Sequence, residues 1–256
     1  MEQRSTYQTV MAANYGSQIH HWRKSILFPC LILVLFSCSS EVDTTEWVST
    51  LTSELEPLEI AATEVTNAQF EQFVHKTHYV TDAEKNNYGG SVYVNNEWKI
   101  DPHANWKHPL GKSSSIEEIM DHPVVQVTYN DIMAYCKWGK VRLPTEEEWI
   151  HACLEGKTSQ KSINISHGQT KDEVDGYLYT SPVKKFPPNA LNLYGMFGNV
   201  WEITASKFDA ENSIYAMKGG SFLCDAEYCM GYTSDSRQSI SKNDAYFHVG
   251  FRVVKD

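Results

Sequence analysis

Apolar residues recur at helical spacing in three places along the chain, and each run follows a threonine. Phe70, Phe73 and Val74 come after Thr66, with Gln69 three residues beyond the threonine. Ile132, Tyr135 and Cys136 come after Thr128, with Asp131 at the third helical position. Trp149, Ala152 and Cys153 come after Thr145, with Glu148 in the same place. A threonine hydroxyl accepts from the backbone N–H three residues on, and a carboxylate or amide side chain at that residue reaches back to the threonine N–H. Each pattern therefore predicts a capped helix start and one buried face. Gly139 is the expected stop of the second helix. Beyond Gly156 the periodicity gives way to short runs punctuated by Gly, Asn, Asp and Pro, among which Tyr215–Phe222 and His248–Val254 read as short strands. The sum is an α+β domain with much loop.

The N-terminal pattern is of another kind. Arg23 and Lys24 precede an apolar stretch from Ile26 to Phe36, which ends in Leu35-Phe36-Ser37-Cys38. Charge, a short apolar run and a small residue, in that order, mark a secretory signal. About a dozen apolar residues fall short of the roughly twenty that a spanning helix needs. A small residue directly before Cys38 resembles a lipoprotein box, in which Cys38 is acylated and becomes the new N-terminus; an ordinary signal peptide or a short anchor is the alternative. The division expected is a signal segment at 1–38, a polar tether at 39–58 and one folded domain at 59–256. Contact with a membrane is then expected only through the lipid on Cys38, with the domain in the cell envelope, or periplasmic or secreted.

Charge narrows the partners. The 256 residues carry a net charge of −10 and have no Lys/Arg cluster outside the N-terminus, which argues against a nucleic-acid backbone as partner. No repeat period or glycine-rich phosphate loop is present.

Six blocks, in order, resemble the formylglycine-generating (sulfatase-modifying factor) family. Thr63-Glu-Val-Thr-Asn-Ala-Gln-Phe70 is similar to its opening helix motif. His122 through Asp131, with Ala134-Tyr-Cys136, is similar to its second, and Arg142-Leu-Pro-Thr-Glu-Glu-Glu-Trp149 to its most recognisable block. Gly198-Asn-Val-Trp-Glu202, Lys218-Gly-Gly-Ser-Phe-Leu-Cys224 and Gly250-Phe-Arg252 complete the series. The match runs from about Glu59 to the C-terminus and implies the family's fold, low in regular secondary structure and distantly like a C-type lectin, with a groove for an extended peptide.

What the resemblance implies about chemistry rests on Cys224 and Cys229, a Cys-x4-Cys pair. In the family this pair holds Cu(I), a soft ion suited to two thiolates. The family reaction oxidises a cysteine in a sulfatase's Cys-x-Pro-x-Arg segment to formylglycine with dioxygen and a reductant. Ser221 matches an active-site serine; Tyr228 and Trp201 match groove-lining residues, and Arg237 is what remains of a basic stretch that binds substrate. Read without the resemblance, Cys224 and Cys229 have a structural disulfide in an oxidising compartment as their alternative.

A calcium site of the family matches Asn164, Ile165, Asp175 and Tyr177, two side-chain oxygens and two carbonyls, the hard ligands Ca2+ prefers; simple turn capping is the alternative for Asn164 and Asp175. A second family site would use Glu202 with the carbonyls of Gly198 and Val200, but its fourth ligand is replaced by Gly195. Other departures cluster near the cysteines: Asp225 and Ala226 replace basic residues, and His248 stands where the family has Asn. An anion beside a thiol raises its pKa. Cys136 and Cys153 are expected to be buried thiols on their helices. His75, His78, His103 and His108 form no iron-binding triad. Two functions from different classes follow: a copper oxidase that matures sulfatases, or a catalytically silent envelope lipoprotein that uses the same fold for binding protein or glycan.

Overall fold

The computed structural model describes residues 45–52, 54, 56–85, 88–95, 97–158, 163–165, 175–210, 213–225 and 231–255. The signal segment, Cys38, Tyr228 and Cys229 lie outside them.

The three threonines do cap helices. In α1 (Asn67–Thr77) the Thr66 hydroxyl accepts from Gln69 N at 3.2 Å and the Gln69 side chain takes Thr66 N at 2.9 Å. Thr128 with Asp131 starts α2 (Tyr129–Gly139), and Thr145 with Glu148 starts α3 (Glu146–Glu155), by the same reciprocal pair. Each box is worth about 1 kcal/mol to its helix. The second helix runs through Gly139 and stops at Lys140, which adopts the left-handed conformation (φ 54°) and donates its N–H to the Cys136 carbonyl. The expected glycine stop is therefore one residue early.

The strands form three sheets. β1 (Trp47–Leu51) pairs antiparallel with β2 (Pro57–Ala61), and β2 with β9 (Val254–Lys255). β3 (Gly90–Val94) and β4 (Glu97–Asp101) form a separate hairpin. The third sheet has the order β7 (Gln238–Ser241), β6 (Ile214–Lys218), β5 (Trp201–Lys207), β8 (Val249–Gly250), with β5 and β8 parallel. Two expectations change. Residues 47–51, placed in the tether, are a strand, because Val48 and Thr50 pair with Ile60 and Leu58 and bring β1 onto the domain. The run from His248 to Val254 splits into two short strands in different sheets.

The largest apolar cluster joins α1 and α2 to the third sheet. Phe70 stacks on Tyr135 at 5.9 Å, and Tyr135 meets Phe251 edge-on at 5.3 Å; Trp201, Met217 and Cys224 belong to the same cluster. A second cluster packs Trp149 of α3 with Leu193, Met196 and Phe197. Among the described residues no helix is long and apolar enough to cross a membrane.

Candidate active site

Strand β6 is followed by Gly219 and Gly220, both at positive φ (94° and 78°). A Cβ on Gly220 would lie 2.9 Å from the Gly231 carbonyl carbon and from Tyr232 N. Only glycine lets the chain turn there and pass so close to the neighbouring segment. What the turn delivers is Ser221-Phe222-Leu223-Cys224. The Ser221 carbonyl accepts from Cys224 N at 2.9 Å, and its hydroxyl accepts from Leu223 N at 3.2 Å. Ser221 N points at Cys224 Sγ at 3.5 Å. The turn is pinned from outside by Phe222 N donating to the Asn199 carbonyl at 2.9 Å.

Ser221 and Cys224 are thus brought together and are 0 % and 1 % exposed. Cys224 is disulfide-bonded. Cys136 and Cys153 are free. Burial pushes the Cys136 thiol up to about 12 and that of Cys153 up to about 11. Both stay protonated at neutral pH and are poor nucleophiles, as expected of buried apolar thiols. Trp201 is 4 % exposed and packs in the cluster that contains Cys224. Arg237 pairs with Glu146 at 2.9 Å and lies 4.4 Å over the Phe208 ring.

Asn164 is almost fully buried, and its amide nitrogen donates to the Tyr179 carbonyl at 2.9 Å and to Asn199 Oδ1 at 3.3 Å. Its Oδ1 is buried with no hydrogen-bond partner, and so is Oδ2 of Asp175, whose other oxygen accepts from Tyr177 N. Acceptor oxygens left buried and unsatisfied are costly. Two of them, one from a carboxylate, are what a hard cation would satisfy, so these residues fit Ca2+. Ile165 is buried beside Asn164, and the Tyr177 ring packs against His122 and Phe186.

The second calcium set does not fit. Both Glu202 oxygens are taken: Arg252 holds them at 2.6 Å from Nε and from Nη2, and Trp149 Nε1 adds a third bond at 2.7 Å. A Cβ on Gly195 would stand 2.5 Å from either oxygen of Glu64, so the space of the missing fourth ligand is filled by that carboxyl. Glu64 is fully buried; burial, opposed in part by Arg252, pushes it up to about 8 and so keeps it protonated at neutral pH. Gly198 and Val200 flank the network without completing a site.

Sequence reasoning did not single out Asn199 or Trp98. Asn199 stands in the left-handed region (φ 56°) and contacts Asn164, Ser181, Glu64 and Phe222. The signal available was its place in the Gly198-Asn-Val-Trp-Glu202 block. Trp98 carries no motif at all. Among the described residues, no three His, Cys, Asp or Glu side chains cluster as a metal site, which leaves the sulfur pair and the mixed oxygen set as the candidates.

The family model described as "Sulfatase-modifying factor enzyme 1-like domain" matches residues 36–256. A mouse protein named formylglycine-generating enzyme is 34 % identical over 243 residues, covering 76 % of this chain; the chain spans 65 % of that relative's length. A second mouse protein, named inactive Cα-formylglycine-generating enzyme 2, is also 34 % identical, over 235 residues, with 78 % of this chain and 75 % of the relative covered. Among solved structures, PvdO from Pseudomonas aeruginosa superposes with a TM-score of 0.58 at 19 % identity, covering 83 % of this chain and 91 % of the other, a likeness of fold alone.

Proposed function

Because the chain belongs to the sulfatase-modifying factor family, we propose that it is a copper-dependent oxidase that converts a sulfatase cysteine to Cα-formylglycine with dioxygen and a reductant. The observation that carries this is the Ser221–Cys224 turn, a buried serine and an oxidisable sulfur held in one hydrogen-bonded loop with Cys229 five residues on. Reduced, Cys224 and Cys229 would hold Cu(I), which supplies the site where oxygen is activated. The chain's own part is to hold the sulfurs and position the peptide. The Ser221 N–H is directed at Sγ at 3.5 Å and helps to hold the sulfur in place. Burial of Ser221 and Cys224 excludes bulk water from the reacting groups.

The test is direct. A Cys-x-Pro-x-Arg peptide incubated with the thiol-reduced, copper-loaded protein and oxygen is expected to gain an aldehyde at its cysteine, read by mass. No product from several sulfatase peptides would favour the second reading, a silent binding protein, which the 34 % identity to an inactive relative keeps in play.

Two further proposals accompany this one. Calcium at Asn164 and Asp175 satisfies the two orphaned oxygens, with the Ile165 and Tyr177 carbonyls as the remaining ligands. Calcium at a hundredfold excess over its Kd should then stabilise the fold by about 2.7 kcal/mol. Chelation should lower the melting temperature of wild type and leave Asp175→Asn nearly unaffected; equal responses would remove the site. Anchoring through Cys38 is tested by Cys38→Ala, which is expected to move the protein out of the membrane fraction. An unchanged distribution would dismiss the lipoprotein box.

A further inference from the structure

Helices α1 and α2 run in the same sense and end together: Phe70 meets Tyr135 at 5.9 Å, and Phe73, one turn on, meets Trp138 at 5.7 Å. Their last turns and the residue capping α2 bring Lys76, Lys137 and Lys140 to one end of the pair. These lysines are far apart in the chain, so no basic cluster shows in the sequence. All three are exposed. Among the described residues none of them makes an ion pair, whereas Lys85 is taken by Asp82 at 2.7 Å and Lys107 by Glu84 at 3.2 Å. Of the acids on the two helices, Asp131 is buried and Glu71 alone is exposed. Trp138 keeps 38 % of its surface open beside Lys137, and Met133, one turn before Lys137, keeps 42 %. This end is therefore basic and partly apolar on a chain whose net charge is −10. The chain also enters at α1, where Gln69 Nε2 donates to Thr45 Oγ1 at 3.2 Å. Thr45 is seven residues beyond Cys38, a reach of at most about 25 Å. From Gln69 to the end of α1 is about 12 Å.

We propose that the joined C-terminal ends of α1 and α2 are a docking face for an anionic phospholipid bilayer, with Trp138 and Met133 at the headgroup level and Lys76, Lys137 and Lys140 on the phosphates. A domain held that close to a bilayer turns some face to it, and an anionic surface repels an acidic one. An indole ring suits the headgroup region, where one edge is apolar and the other wet. The face orients the domain; the lipid anchors it. Three lysines are too few to retain the protein at physiological salt without the acyl chains, so the fractionation result expected of Cys38→Ala stands. The inference rests on the lipid anchor proposed at Cys38 for its nearness to a bilayer.

The experiment takes the full chain carrying Cys38→Ala, so that no acyl group contributes, and mixes it with vesicles of phosphatidylcholine alone or with phosphatidylglycerol. Co-sedimentation gives the affinity, and amide hydrogen exchange read by mass shows which segments are covered. Phosphatidylglycerol is expected to tighten binding at low salt and to slow exchange at the ends of α1 and α2, and high salt should reverse both. Replacing Lys76, Lys137 and Lys140 by Ala should weaken binding about fivefold for each and about a hundredfold together, with the melting temperature of the parent chain. A control in which Lys99, Lys112 and Lys242, exposed elsewhere, become Ala has the same net charge and should keep the slowed exchange. Exchange at the two helix ends that is the same on both kinds of vesicle, or an equal loss in the control, overturns the face. So does binding to duplex DNA as tight as to the anionic vesicles, which would make it a general polyanion site. Failure of the lipid anchor is read separately, from the fractionation of Cys38→Ala, and leaves this comparison intact.

Discussion

Cys224→Ala is expected to abolish both tight Cu(I) binding and aldehyde formation, with turnover falling by at least about a thousandfold, and Cys229→Ala is expected to match it. A single thiolate holds Cu(I) far more weakly than two, so losing either sulfur removes the ion that two soft ligands select. Because the residues act as a unit, the double variant should be no worse than either single one. Cys224 is buried in the main apolar cluster, so destabilisation has to be separated from chemical loss. Melting temperatures taken with thiol present do this, since the wild-type disulfide is then open as well. Copper stoichiometry is the deciding measurement. One equivalent bound by wild type and by the double variant alike would end the assignment.

A large effect on stability is expected from Arg252→Met. Arg252 is 0 % exposed, and its guanidinium serves Glu202 and the carbonyls of Ala61 and Tyr194. Removing it strands Glu202 as a buried charge held only by Trp149, a loss of about 3–5 kcal/mol. For a domain of this size that is a fall of about 10 °C in Tm. Arg252→Met combined with Glu202→Leu should recover part of the loss, because no charge is then left unpaired. A double variant as unstable as the single one would show that shape, not charge, governs the site. Glu64 adds a pH signature. Its folded pKa is raised above the unfolded value, so the stability it contributes is full below the ordinary carboxylate range and is lost as pH rises towards about 8. Glu64→Gln should flatten wild-type stability across that window, measured by denaturant titration at each pH. An unchanged slope would place the proton elsewhere.

The helices and the reactive turn were legible in the sequence for different reasons. Thr66, Thr128 and Thr145 announce their helices through bonds that span three residues, so the information is local. Ser221 and Cys224 were found by motif, and the Gly219-Gly220 turn then explained why the motif has its glycines. The β3–β4 hairpin escaped because β4 is exposed along nearly all its length, which leaves no alternation of buried and polar positions to read. β1 escaped because its partner strand, not its own pattern, makes it a strand. The Glu64–Asn199–Glu202–Arg252 network was out of reach: its bonds join residues 135 and 50 positions apart, and a buried glutamate looks in sequence like a surface one. Arg237, given a role towards substrate only by the resemblance, contacts Glu146 and Phe208.

Asn199 touches almost everything that matters here. Its amide nitrogen holds Glu64, its side-chain oxygen gathers Asn164 and Ser181, and its carbonyl fixes Phe222. For a lineage drifting away from catalysis, this makes the losses unequal. The cysteines stand outside this set of bonds, so shedding them leaves the contacts of Asn199 in place. Residue 199 offers no such route, because a replacement must satisfy three neighbours and a left-handed backbone at once. Retention of this asparagine in a copy that has lost its cysteines would mark a molecule still selected for its shape.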